Sequence, residues 1–69
     1  MSAVFILANG KHVAAQSGLT VADFLRDRDL AAALVLVEYN GEPLDREAFD
    51  RTPLRAGDRL EIAHMVGGG

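Results

Sequence analysis

The sequence predicts an α+β domain in which a mixed sheet of four to five strands carries one main helix on one face. Three observations lead there. Asn9-Gly10 separates two short apolar runs, and such a pair is a strong short-range hairpin signal because both residues tolerate positive φ. A single amphipathic stripe, Val21, Phe24 and Leu25, follows a threonine suited to capping, enough for one helix. Two later apolar segments, 34–39 and 59–66, are short and rich in branched side chains, as strands are.

Taken in order, the first strand is expected over 3–8 and the second over 11–15, with Ser17-Gly18 ending the pattern. Thr20 opens the helix: its hydroxyl can accept from the first-turn backbone, and Asp23 makes a capping box with Asp in place of Glu. An acid there also suits the positive end of the helix. The apolar spacing predicts a helix over 21–28, with Arg26, Asp27 and Arg28 facing outward. The run Leu34-Val35-Leu36-Val37-Glu38-Tyr39 is nearly continuous, which predicts a strand covered on most of both faces. Asn40-Gly41 closes it with a second turn signal.

Asp45 is placed to cap a single helical turn through Arg46-Glu47-Ala48-Phe49. Thr52-Pro53-Leu54 reads as extended and Ala56-Gly57-Asp58 as a turn. In the last strand, 59–66, Leu60 and Ile62 share one face while Arg59 and Glu61 take the other. One helix cannot cover both sides of such a sheet, so the far side stays partly open. The first strand is expected beside the last, parallel and central. Core candidates are Phe24, Leu25, Val37, Tyr39, Phe49, Leu60 and Ile62.

Composition narrows the function. The chain has 69 residues, 49% of them hydrophobic, and no cysteine. That is one domain able to build a core, without disulfides, thiolate metal sites or cysteine nucleophiles. The apolar N-terminus is short and has no basic leader, so a cytoplasmic, non-membrane protein is expected. The net charge is −3 and the basic residues are interleaved with acids, a poor footprint for nucleic acid. No triad, metal cluster or phosphate loop is evident, and an enzyme is not expected.

The chain ends in Gly67, Gly68 and Gly69. Glycine can thread a slot too narrow for other residues and carries a high entropic cost of ordering. Residues 67–69 are therefore expected to form a flexible tail on a domain of residues 1–66. Either the tail delivers the Gly69 carboxylate to another protein, or it is a frayed terminus. Met65 and Val66 carry two readings as well, a partner contact or the end of the strand. Leu36 and Ala63, rimmed by Glu38 and Glu61, are candidates for an apolar patch on the open face. A slip of one residue in strand parity would reverse that placement. His12 and His64, with no acids nearby at ligand spacing, make a weak metal case. The Tyr39 hydroxyl can reach a partner, though its ring suits the core.

At this point the chain resembles the ThiS family of sulfur carriers, which has the ubiquitin-like β-grasp fold. The resemblance rests on Asn9-Gly10, on Thr20-Val21 with Phe24-Leu25, and on Val37-Glu38-Tyr39-Asn40-Gly41-Glu42. It continues through Pro43 with Arg46, Leu54-Arg55-Ala56-Gly57-Asp58-Arg59-Leu60-Glu61-Ile62 and Val66-Gly67-Gly68-Gly69. It implies a protein co-substrate for thiazole formation in thiamine synthesis. A ThiF-type adenylyltransferase using ATP and Mg activates the Gly69 carboxylate, and a sulfur nucleophile converts it to a thiocarboxylate. Thiazole synthase (ThiG) then takes the sulfur. Gly67 and Gly68 would thread the partner's channel, and the free carrier would be a monomer with no bound cofactor. Many members end in two glycines where this chain has three. Two other carriers of such tails stay open: the small subunit of molybdopterin synthase and ubiquitin-like protein modifiers.

Overall fold

Both Asn-Gly pairs make the tight turns their chemistry allows. In the computed structural model, which describes residues 2–65, Asn9 and Gly10 have φ of 51° and 80°, and Asn40 and Gly41 have 51° and 88°. Positive φ at both central residues defines the type I′ turn, whose twist matches that of paired strands. The first turn joins β1 (Ala3–Ala8) to β2 (Lys11–Gln16). The second joins β3 (Val35–Tyr39) to β4 (Glu42–Leu44), an edge strand that the sequence reading did not place because no apolar run marks it. Pro43 in β4 is compatible with an edge, where a missing N–H costs least.

Helix α1 (Val21–Asp27) carries the full capping box: Asp23 N–H donates to Thr20 Oγ1 at 3.1 Å, and Thr20 N–H donates to Asp23 Oδ2 at 3.2 Å. The bond from the Thr20 backbone holds the Asp23 carboxyl below the usual carboxylate range, helped by Arg26. The helix ends one residue earlier than its apolar spacing predicts. Asp29 enters the left-handed region at φ 57°. Its N–H bonds to the Arg26 carbonyl and that of Leu30 to the Leu25 carbonyl, a Schellman ending. The C-cap residue itself, Arg28, lays its guanidinium 4.4 Å from the Phe24 ring centre.

Two expectations are corrected between α1 and β3. Leu34 is not in the strand but in a 3-10 turn, Ala32–Leu34. And β3 is not covered on both sides: Val35 and Val37 are buried while Leu36 and Glu38 are exposed. The 3-10 turn is tied down from a distance, because Arg46 donates to the carbonyls of Ala32 (2.7 Å) and Val35 (3.0 Å). The turn after Asp45 is a longer 3-10 helix, Arg46–Arg51, and the Asp45 side chain makes no cap bond there.

The last strand, β5 (Arg59–His64), sits in the centre of a five-stranded sheet of order β2-β1-β5-β3-β4. It ends at His64, two residues short of the span expected from sequence. It runs parallel to β1 (Leu7 level with Arg59, Ala8 with Leu60) and antiparallel to β3. The core lies between this sheet, α1 and the 3-10 helix: Ile6, Val21, Leu25, Val35, Leu54 and Leu60 are sealed, with Phe24, Val37 and Phe49 beside them. Each such aliphatic side chain is worth about 1.5–3 kcal/mol on burial. Tyr39 and Ile62 are only partly buried at its margin. The expected tail 67–69, and Val66 before it, lie outside the described residues.

Candidate functional site

The residues around the exit of β5 are positioned by strand alternation. Leu60 faces the core at 0% exposure, so Glu61 and Ala63 must face the opposite side. Across the β3–β5 ladder, Leu36 is paired with Ala63 and Glu38 with Glu61. All four are exposed, and Leu36 keeps 58% of its surface in water. The apolar pair with an acidic rim is thus on the open face, as the spacing predicts. Glu38 and Glu61 stand directly opposite each other, an arrangement that does not favour sheet pairing. It leaves two carboxylates for a cationic group of another molecule.

Met65 follows the last residue of β5. Its N–H donates to the Leu34 carbonyl at 2.9 Å, and its side chain is 42% exposed. Strand end and exposed apolar surface therefore coincide there. Leu34, which sequence reasoning placed inside a strand, is exposed beside it and lines a groove of about 440 Å³ with Leu30, Ala31, His64 and Met65. The apolar surface near the start of the C-terminal segment is larger than Leu36 and Ala63 alone. Phe5 is exposed too, but does not belong to it. In the parallel register it is level with residue 57, so it lies about 20 Å from Ala63 at ~3.3 Å per residue.

The two histidines do not form a site. His12 is on the open face of β2, in register with Leu7, whereas His64 is on the helix side of β5, in register with Val35. Among the described residues no group of three His, Cys, Asp or Glu side chains could hold a metal. No helix among them is long and apolar enough to cross a membrane. Gly67, Gly68 and Gly69, the residues expected to carry the chemistry, lie outside the described residues, as does Val66.

Sequence reasoning missed how firmly the start of β5 is held. Asp58 is buried and its carboxylate accepts three hydrogen bonds, from Tyr39 Oη–H at 2.7 Å, Arg55 N–H at 2.8 Å and Asn40 Nδ2–H at 3.2 Å, while its own backbone N–H donates to the Arg55 carbonyl and closes the turn. Burial alone would raise the Asp58 carboxyl, but the bonds from Tyr39, Arg55 and Asn40 outweigh it and hold the group below its usual range. Burial and the same carboxylate push the Tyr39 phenol up. The Tyr39 hydroxyl is therefore used inside the domain. The Ala-Gly-Asp turn marked the location, but nothing nearby in sequence pointed to Tyr39, 19 residues away.

With this geometry in place, the chain can be compared with known proteins. The model of the ThiS family matches residues 4–69. The chain is 37% identical over 62 residues to the sulfur carrier protein ThiS of Bacillus subtilis (strain 168), a match covering 88% of this chain and 94% of that one. It is similar to the crystal structure of a thiamine biosynthesis protein (ThiS) from Geobacter metallireducens, with a TM-score of 0.81, 39% identity, and coverage of 96% and 100% of the two chains. The solution structure of a thiamine biosynthesis protein from the same organism gives a TM-score of 0.76 at 39% identity, covering 96% of this chain and 88% of that one.

Proposed function

Because the chain belongs to the ThiS family, the sulfur carriers of thiamine biosynthesis, we propose that its working group is the carboxylate of Gly69. The protein is a carrier and not itself a catalyst. The observation that carries the proposal is the family match running through Val66-Gly67-Gly68-Gly69 to the last residue. A carboxylate is a poor electrophile. In the proposed cycle one of its oxygens attacks the α-phosphorus of ATP, held with Mg by a ThiF-type adenylyltransferase, and pyrophosphate leaves. A persulfide sulfur then displaces AMP from the acyl carbon. A thiol attacks the outer sulfur of the resulting acyl persulfide, forming a disulfide and leaving sulfur on Gly69 as a thiocarboxylate. Thiazole synthase (ThiG) consumes that sulfur.

The described residues fit the physical demands of this role. The strand that leads to the C-terminal segment is the central one, fixed on both sides over most of its length. Leu36, Ala63 and Met65 surround its exit with exposed apolar surface, suited to docking a partner while the tail is engaged. Gly67 and Gly68 supply the narrow backbone that a closed active-site channel requires. We place the protein in the cytoplasm, a monomer when free, where its partners have access to ATP.

The test is a purified assay with a ThiF-type enzyme, Mg and ATP, read by intact mass. The wild-type chain is expected to form the acyl adenylate and, with a persulfide donor, to gain the mass of one oxygen-for-sulfur exchange. Gly68→Val, which adds a β-branched side chain to the threading segment, is expected to fold normally and to lose adenylation. Normal adenylation of that variant removes the threading role. Protein conjugates in place of the sulfur-bearing species identify a modifier.

A further inference from the structure

The two Asn-Gly turns do more than reverse the chain, and they act on opposite ends of the same strand. Asn40 Oδ1 accepts from Arg59 N–H at 2.8 Å, at the first residue of β5. Asn9 reaches the far half of β5: its Oδ1 accepts from Ile62 N–H at 2.7 Å, and its Nδ2–H donates to the Ile62 carbonyl at 3.1 Å. These two bonds stand where a strand neighbour would be. The β1–β5 ladder ends at Ala8 and Leu60, and Asn9 N–H adds one last backbone bond to the Leu60 carbonyl. There β1 turns away at positive φ, and the Asn9 carboxamide takes over both backbone groups of Ile62 on that side.

Ile62 is therefore the last residue of β5 held from both flanks. Ala63 and His64 are paired only with β3, and Met65 only through its bond to Leu34. The two bonds from Asn9 to Ile62 are thus the last hold on the β1 side of β5 among the described residues. Without Asn9, Ile62 would join them, and the four residues 62–65 would be held from the β3 side alone.

We propose that Asn9 is a positioning residue, whose carboxamide fixes the line along which the C-terminal segment is delivered to a partner active site. This rests on the carrier reading above. It also explains why this turn uses Asn first: the residue both tolerates φ of 51° and carries the donor and acceptor that replace the missing strand.

Asn9→Gly keeps the turn, because glycine accepts the same φ, and removes only the carboxamide. Asn40→Gly does the same at the start of β5 and serves as the matched control. Backbone order parameters at residues 63–65 are expected to fall in Asn9→Gly and to stay at wild-type values in Asn40→Gly. In the adenylation assay, Asn9→Gly is expected to lower kcat roughly five- to tenfold with KM within roughly twofold, the pattern of a misdirected but normally docked substrate. Asn40→Gly is expected to leave kcat unchanged. Unaltered order at 63–65 in Asn9→Gly, or equal changes in both variants, overturns the proposal whatever the assay gives. A wild-type chain that the activating enzyme ignores would count against the carrier reading alone, since the order parameters still decide the role of Asn9.

Discussion

The two faces of the sheet are made by the same strands and have opposite fates. On the helix side, Ile6, Val35, Val37 and Leu60 are sealed under α1 and the 3-10 helix. On the other side, Phe5, Leu36 and Ala63 come from those strands by simple alternation and remain in water. Folding gains its hydrophobic stabilisation almost wholly on the first face. Apolar groups on the second contribute little to holding the domain together, so their presence is better explained by what they meet outside it. The acidic pair Glu38 and Glu61, set opposite each other on that same face, points the same way.

Leu60 and Leu36 lie on adjacent strands and differ chiefly in the face they occupy, so truncating each breaks or sharpens the contrast. Leu60→Ala is expected to cost about 2–5 kcal/mol, a large share of the stability of so small a domain, seen as a fall in the thermal midpoint of tens of degrees or as loss of the folded state. A small cost would mean that the core has a different centre. Asp58→Asn is expected to cost about 1–3 kcal/mol, because an amide N–H would then face the donors from Arg55 or Asn40. It also changes the acid limb of the stability curve. The Asp58 carboxyl titrates lower in the folded chain than its ordinary value of 3.8, so its contribution is complete above that pH and is lost as pH falls through the depressed folded value. Denaturation followed between neutral pH and strong acid should show a shallower acid loss in the variant; identical pH slopes would remove Asp58 as its source. Leu36→Ala is expected to move stability by no more than about 0.5 kcal/mol while raising KM for the activating enzyme roughly three- to tenfold. An unchanged KM would mean that partners do not use this face.

What could be read in advance was whatever is decided by neighbours in sequence. The Asn-Gly turns, the Thr20–Asp23 box, the stripe Val21-Phe24-Leu25 and the alternation along β5 are all local, and each lies where its spacing predicts. The parallel pairing of first and last strands also followed, since a single helix leaves few other ways to close the sheet. The failures are equally physical. Leu34 looked like strand because it is apolar and adjoins Val35, yet Arg46, from a separate element, holds the carbonyls on either side of it. Asp58 looked like a turn residue because its partners Tyr39 and Asn40 are 19 and 18 positions away. The second role of Asn9 was hidden for the same reason, with Ile62 lying 53 positions on. Of the expected site, Leu36, Ala63 and Met65 could be placed by parity and proximity; Leu34 could not.

The central place of β5 has a consequence for how the protein is made. Of the five described strands translation delivers this one last, yet β1 and β3 have no partner between them until it arrives. A nascent chain on the ribosome can form its hairpins and its helix early, but the sheet closes only once β5 has emerged. Any copy truncated before β5 would be left with open strand edges and without a finished core, fit for degradation. Every copy that passes as folded therefore already contains the strand that leads to the C-terminal segment.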